Sequence, residues 1–165
     1  MKKIVSYMMT GILLLSFLLT GCGSQEPQTG KKMSMYYINT AETKVEVHEQ
    51  YLNTKTLDEQ LDETMRYLST TPEKLEYKAP LDMGFRVLDY EVEDGKLLIN
   101  VDKAYSELSP TTEVLVRAAI VRTLTQLPNV KYVGITVEDS QLYDNAGEMV
   151  GWMNADQFIN NDGNE

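Results

Sequence analysis

Cysteine and histidine are all but absent, with one of each in 165 residues. A single thiol excludes an internal disulfide framework and the paired Cys and His spacings of a zinc site. One imidazole, His48, leaves acid–base chemistry to carboxylates unless that histidine has a positioned partner. Phosphate-binding loops are missing, since neither G-x-x-x-x-G-K-[ST] nor G-x-G-x-x-G occurs, and no serine stands in G-x-S-x-G. Basic charge is scarce as well. Fifteen Lys and Arg face 25 Asp and Glu, a formal net charge of -10, and that field repels nucleic acid and other polyanions. Long hydrophobic runs are limited to the stretch from Ile4 to Leu19.

That run follows Lys2 and Lys3 and has the charged start and short apolar centre of an export signal, not the length of a spanning helix. Removal of residues 1–21 takes away two lysines and no acid, so 13 basic groups remain against 25 acidic ones and the charge becomes -12. The junction Leu19-Thr20-Gly21-Cys22 resembles the lipobox of bacterial lipoproteins, where signal peptidase cuts before a cysteine already carrying diacylglycerol. Cys22 is therefore the expected lipid attachment site, on the outer face of the bacterial cell membrane. Two acyl chains anchor durably where one holds only marginally. Residues 22–32 read as the lipidated cysteine and a flexible tether, because Gly23 to Lys32 is small and polar around Pro27.

What remains, residues 33–159, has the length for one domain with its own core, and residues 160–165 read as a frayed tail. Met33 to Ile38 and Lys44 to Leu52 are predicted strands around the polar turn Asn39 to Thr43, with Met35, Tyr37, Val45, Val47 and Tyr51 facing the core. Thr56 and Glu59 form a T-x-x-E capping box, and Leu57, Leu61, Met65 and Leu68 recur at helical spacing. Asp58, Glu59, Asp62 and Glu63 lie off that stripe and read as a solvated face. After a polar connection from Pro72 to Pro80, Asp94-Gly95 is a two-residue hairpin turn. Folding about it pairs Glu93 with Lys96, Val92 with Leu97, Tyr90 with Ile99 and Leu88 with Val101.

Ser109 to Val137 forms the centre of the domain. Ser109 is an N-cap, Pro110 fits the first helical turn, and Glu113 suits the positive end of the helix dipole. Val116, Ala119, Ile120, Thr123, Leu124 and Leu127 form one apolar stripe; Val114, Ala118 and Val121 add a second, so the helix is expected to be covered on two sides. Pro128 and Asn129 end it, and a strand from Val130 to Val137 follows. A polar loop, the turn-like cluster Asp144 to Gly147, and a short helical turn capped by Asn154 and Gln157 complete the chain.

Chemistry has few places to reside. His48 reads as a surface histidine beside Lys44, Glu46 and Gln50, opposite Val45 and Val47. Asp139, Asp144, Asn145 and Glu148 come nearest to an oxygen-ligand cluster, but they lack the alternating spacing of a calcium loop, and an ordinary turn is expected. Two distant acids converging across a cleft would leave no linear pattern, so carboxylate-based hydrolysis stays open. Tyr143 and Trp152 either close the core or form an exposed aromatic contact surface.

Two passages resemble a known family. Ala79-Pro80 with Gly84, then YEVEDGKLLINVDKAYSEL from Tyr90 to Leu108, is similar to the proline–glycine approach, D-G hairpin and hydrophobic-Val-Asp end of the GerMN domain. Thr123-Leu124-Thr125 followed by Val130-Lys131-Tyr132-Val133 is similar to its helix end and V-x-x-V strand. The family often has Gly-Pro after the first helix and Asp-Gly after the last core strand; here Ser69-Thr70-Thr71-Pro72 and Glu138-Asp139-Ser140 stand instead. GerMN domains are associated with sporulation and spore germination proteins and occur in several bacterial surface lipoproteins. The resemblance implies an α+β fold: one small domain with a mostly antiparallel or mixed sheet and two helices packed on one face, akin to ring-building modules. It carries no catalytic residue, cofactor or metal to transfer. The expectation is a non-enzymatic interaction domain whose partners are the membrane, through the lipid anchor, and other envelope proteins, with self-association left open and no nucleic acid. The competing class is an extracytoplasmic lipoprotein that binds a ligand or hydrolyses cell-wall material.

Overall fold

The computed structural model describes residues 30–71, 76–144 and 146–158. Cys22, the export signal, most of the tether and the tail from Ile159 onward lie outside the described residues. Strand β1, Lys31–Asn39, pairs antiparallel with β2, Val45–Leu52, and at its end with the two-residue β3, Tyr77–Lys78. Helix α1, Leu57–Leu68, follows β2. A second sheet runs in the order β4, β5, β6, β7, comprising Val87–Glu93, Lys96–Val101, Tyr132–Val137 and Ser140–Gln141. Helix α2, Pro110–Leu124, connects β5 to β6, which lie parallel and therefore need such a crossover. The α+β class expected from the sequence holds, with two α-helices among the described residues and the strands shared between two sheets.

Several local expectations are met by named contacts. Thr56 Oγ1 accepts from the Glu59 amide at 3.3 Å and Glu59 Oε2 accepts from the Thr56 amide at 3.2 Å, a complete capping box. Ser109 Oγ accepts from the Thr112 amide at the start of α2. Asn39 Oδ1 closes the β1–β2 turn by accepting from the Thr43 and Lys44 amides. In the β4–β5 turn both Asp94 and Gly95 have positive φ, 49° and 80°, as the tight two-residue hairpin requires. Asn154 and Gln157 cap one 3-10 turn, Ala155–Gln157.

Other expectations are corrected. β1 begins at Lys31, so its first two residues belong to a strand and not to the tether. The face of β2 is reversed. Directly opposed residues of an antiparallel pair share a face, and the register sets His48 against Met35 and Glu46 against Tyr37, while Val47 points outward and is 56% exposed. β2 is an edge strand, so its inward positions lie at the margin of the core and tolerate polar side chains. Glu63 is buried, not solvated: its Oε2 accepts from the Asn53 and Thr54 amides and the Thr54 hydroxyl. Val101 pairs with Val87, because a bulge between Val87 and Asp89 expels Leu88 to the surface. The connection before Pro80 contains β3, and the segment after Val137 turns tightly through Glu138 and Asp139 into β7. Helix α2 ends at Leu124, before Pro128, and β6 begins at Tyr132, although Val130 is still buried.

Helix α2 holds the two sheets together. Val116, Ala119, Ile120, Val121 and Leu124 are fully buried, so the two-sided coverage is real, although Val114 remains exposed at the first turn. Its C-terminal end also serves as a surrogate strand for β1. Gln126 accepts from the Ser34 amide at 3.0 Å and donates to the Ser34 carbonyl at 2.7 Å, while Thr123 Oγ1 accepts from the Tyr36 amide. A sheet edge that would otherwise be open is thus satisfied by side chains.

Candidate interaction surface

The four-stranded sheet has an inner and an outer face, and strict alternation assigns every side chain to one of them. Leu97, Ile99, Val133 and Ile135 point inward and are buried. The outer positions then follow from the register in three rows: Glu93, Lys96 and Tyr132; Glu91, Leu98 and Gly134; Asp89, Asn100, Thr136 and Gln141. Across the middle row lies Trp152. A Cβ at Gly134 would come within 2.8 Å of its ring and within 3.2 Å of Leu98, so the indole rests directly on the glycine. Trp152 remains 42% exposed, and the Lys96 ammonium sits 5.3 Å from its ring centroid.

The polar row is built around one buried amide. Asn100 is only 3% exposed; its Nδ2 donates to Asp89 at 3.0 Å and to Asp139 at 2.7 Å, and its Oδ1 accepts from the Asp139 amide. These bonds fix the β6–β7 turn, in which Glu138 and Asp139 both adopt positive φ without a glycine. The Asn100 side chain thus anchors a turn that has no glycine to relieve it. Beyond β7, Tyr143 and Met149 face each other across an isolated bridge, and both are more than half exposed. Leu142 and Val150, their neighbours in sequence, supply the inward contacts.

Tyr143 and Trp152 therefore both stand at the surface, and core closure falls instead to Leu142, Val150 and Met153. Asp144 is the organiser of an ordinary turn, its Oδ1 accepting from the Ala146 and Glu148 amides, while Asn145 lies outside the described residues. Asp139 is occupied with Asn100, and among the described residues no group of three His, Cys, Asp or Glu side chains is placed to hold a metal. The stripe Asp89, Glu91, Glu93 was missed as a surface feature. Its signal lay in the hairpin register itself, which puts all three acids on one face once Val92 and Tyr90 point inward.

His48 does not join them. It lines a separate cleft of about 230 Å³ with Tyr37, Gln50, Arg66, Tyr67 and Thr70, on the other sheet. In that cleft the Tyr67 hydroxyl accepts from Gln50 at 2.9 Å, while Arg66 lies against the Tyr67 ring. Groups with displaced titration are scattered and each has a structural cause. Burial, and then the Glu113 carboxylate, push the Tyr105 phenol well above its usual range; Tyr105 donates to Glu113 at 2.9 Å, and Arg117 forms an ion pair with the same oxygen. Glu42 is held below the usual carboxylate range by Lys78 and then by the Thr112 hydroxyl, and Asp102 likewise by Arg86. Burial, reinforced by Asp62, raises Tyr90.

A family model described as Germane, sporulation and spore germination, matches residues 34–143. No curated protein matches the chain. The fold is similar to that of the first GerMN domain of the sporulation protein GerM from Bacillus subtilis, at 14% identity and TM-score 0.56, covering 73% of this chain and 94% of that one. It is also similar to the tandem GerMN domains of the same protein, at 17% identity and TM-score 0.53, covering 82% of this chain and 49% of that one. A lipoprotein structure from Clostridium perfringens aligns at 17% identity and TM-score 0.45, over 73% of this chain and 87% of that one.

Proposed function

Because the chain belongs to the Germane family of sporulation and spore germination proteins, we propose that it is lipid-anchored on the outer face of the bacterial cell membrane and that its domain works by contact with other envelope proteins. The process it serves is sporulation, spore germination or envelope assembly. The observation that carries this reading is the outer sheet face, where Trp152, Tyr143 and Met149 remain exposed although the same chain buries a full core. Aromatic and Met side chains on a solvent face are the composition of contact surfaces. The domain is non-enzymatic in this reading: the family description names processes and no reaction, and the groups with perturbed titration serve caps, ion pairs and the core.

Anchoring and contact are tested separately. Cys22→Ala, followed by cell fractionation, should move the protein out of the membrane fraction; a variant that stays fully membrane-bound refutes the anchor. Trp152→Ala combined with Tyr143→Ala should impair function in cells while circular dichroism stays native, and unimpaired function refutes contact through this face. The alternative is a lipoprotein that binds a ligand or hydrolyses cell-wall material with carboxylates, and among the described residues the cleft that His48 lines holds no carboxylate to favour it. Hydrolysis of wall polymers by the purified protein, lost on replacing one acidic residue without unfolding, would establish it.

A further inference from the structure

We propose that the outer face of the β4–β7 sheet docks an extended, lysine- or arginine-rich segment of another protein beside β4, a proposal that rests on the contact reading above. β4 ends its sheet, and among the described residues no strand lies on its second side. Its outward residues Asp89, Glu91 and Glu93 are all exposed, and alternate residues of a strand repeat at about 7 Å. Among the described residues none of the three has an ion-pair partner. The cross-strand residue able to neutralise Glu93 is Lys96, yet its ammonium stands over the Trp152 ring.

An extended segment added beside β4 presents its own alternate side chains at the same pitch, so cations at every second position meet the three acids in turn. The exposed indole lies inward of the stripe, over Leu98 of β5 and Gly134 of β6, the latter about 10 Å from β4 at the usual strand spacing. It is therefore reached by a long side chain of the segment that crosses the stripe and not by the segment's backbone. Charge argues against the other occupants. A second copy docking through this face would bring acid against acid, and anionic lipid headgroups would be repelled by the same stripe.

Trp152 is the chain's only tryptophan, so its emission reports on this face. The probe is a short capped peptide alternating Lys and Thr around a central Leu, titrated into the full-length protein in detergent; a peptide with Glu for Lys is the control. The lysine peptide should change Trp152 emission saturably, and the glutamate peptide should not. Neutralising the stripe with Asp89→Asn, Glu91→Gln and Glu93→Gln should weaken binding by about tenfold, the combined size of three exposed ion pairs. Raising salt to about 0.5 M should weaken the parent more than the neutralised variant. No saturable response, equal binding of both peptides, binding unchanged by neutralisation, or dimerisation through this face would overturn the cationic partner. Loss of cellular function in the Trp152→Ala, Tyr143→Ala protein, together with indifference of the parental protein to the lysine peptide, would overturn this inference alone and keep the contact reading.

Discussion

Gly134→Ala isolates the seat of the aromatic surface in a single methyl group. The new Cβ would lie 2.8 Å and 3.0 Å from two indole carbons and 3.2 Å from Leu98 Cδ1, against an ordinary carbon–carbon separation of about 3.5–4.0 Å. Gly134 is buried in the middle of β6 between paired strands, so the indole is the part that yields. Lifting the ring exposes its lower face. If about 100 Å² of apolar area returns to water, the cost is about 2.5 kcal/mol. Alanine returns about 0.5–1 kcal/mol through the lower entropy of the unfolded chain. The net loss is about 1.5–2 kcal/mol, a fall in melting temperature of about 4–10 °C for a domain of this size. Tryptophan emission should shift to the red in the same variant. A double-mutant cycle checks the cause: in a Trp152→Ala background the added methyl should be neutral or stabilising, since nothing remains to be displaced. A Gly134→Ala protein with parental emission and melting temperature would refute the indole's assigned seat.

Three further outcomes are expected. Gly95→Val should cost about 2 kcal/mol or more, because φ is 80° there and the Asn129 carbonyl stands 3.3 Å from the new Cβ; an unchanged thermal melt refutes the turn. Gln126→Ala should cost about 1–2 kcal/mol by denaturant titration, leaving the Ser34 amide and carbonyl without their partner, whereas a parental midpoint would mean that water replaces the surrogate strand without loss. Stability should fall as pH drops below about 4.5, the ordinary value for glutamate, because the depressed carboxyls of Glu42, Glu59 and Asp102 contribute only while ionised; a pH-independent melt between 5 and about 3 refutes this. At the other end the buried Tyr105 phenol favours the folded state until unfolded tyrosine ionises near 10, so stability should decline above that pH.

Legibility followed the range of the interactions. The Thr56 capping box, the Ser109 cap and the Asp94-Gly95 turn are decided within four residues, and each is found as read. The phase of β2 is decided elsewhere. Val45 and Val47 advertise a core face, yet the register fixed by Asn39 turns Val47 outward and His48 inward. Glu63 looked solvated because its partners, Asn53 and Thr54, belong to a loop with no periodicity to read. The bulge at Leu88 and the left-handed turn at Glu138 and Asp139 both carry non-glycine residues, and the turn is held by Asn100, about forty positions away. The surface was half legible: Tyr143 and Trp152 were recognised as aromatics in need of a place, but their exposure depends on Leu142, Val150 and Met153 filling the core first.

The distribution of charge sharpens the functional reading. In the small sheet and the helices, Glu42, Glu46, Glu49, Glu63 and Glu113 each have a Lys or Arg within 4.0 Å. Among the described residues Asp89, Glu91, Glu93 and Asp139 have none, which is equally true of Asp58, Glu59 and Asp62 on α1; what sets the sheet apart is that three of its acids stand at alternate positions of one edge strand. Exposed pairs contribute only about 0–1 kcal/mol each, and folding loses little by leaving the sheet's acids unpaired. Association gains more, because an uncompensated stripe beside an apolar platform steers a cationic segment before contact is made. Steering and anchoring then separate in the kinetics. In stopped-flow mixing with the lysine peptide, neutralising the stripe should slow association and flatten its salt dependence while dissociation changes less. Trp152→Ala should chiefly speed dissociation; followed by a fluorophore on the peptide, equal effects of the two changes on both rates would refute this division of labour.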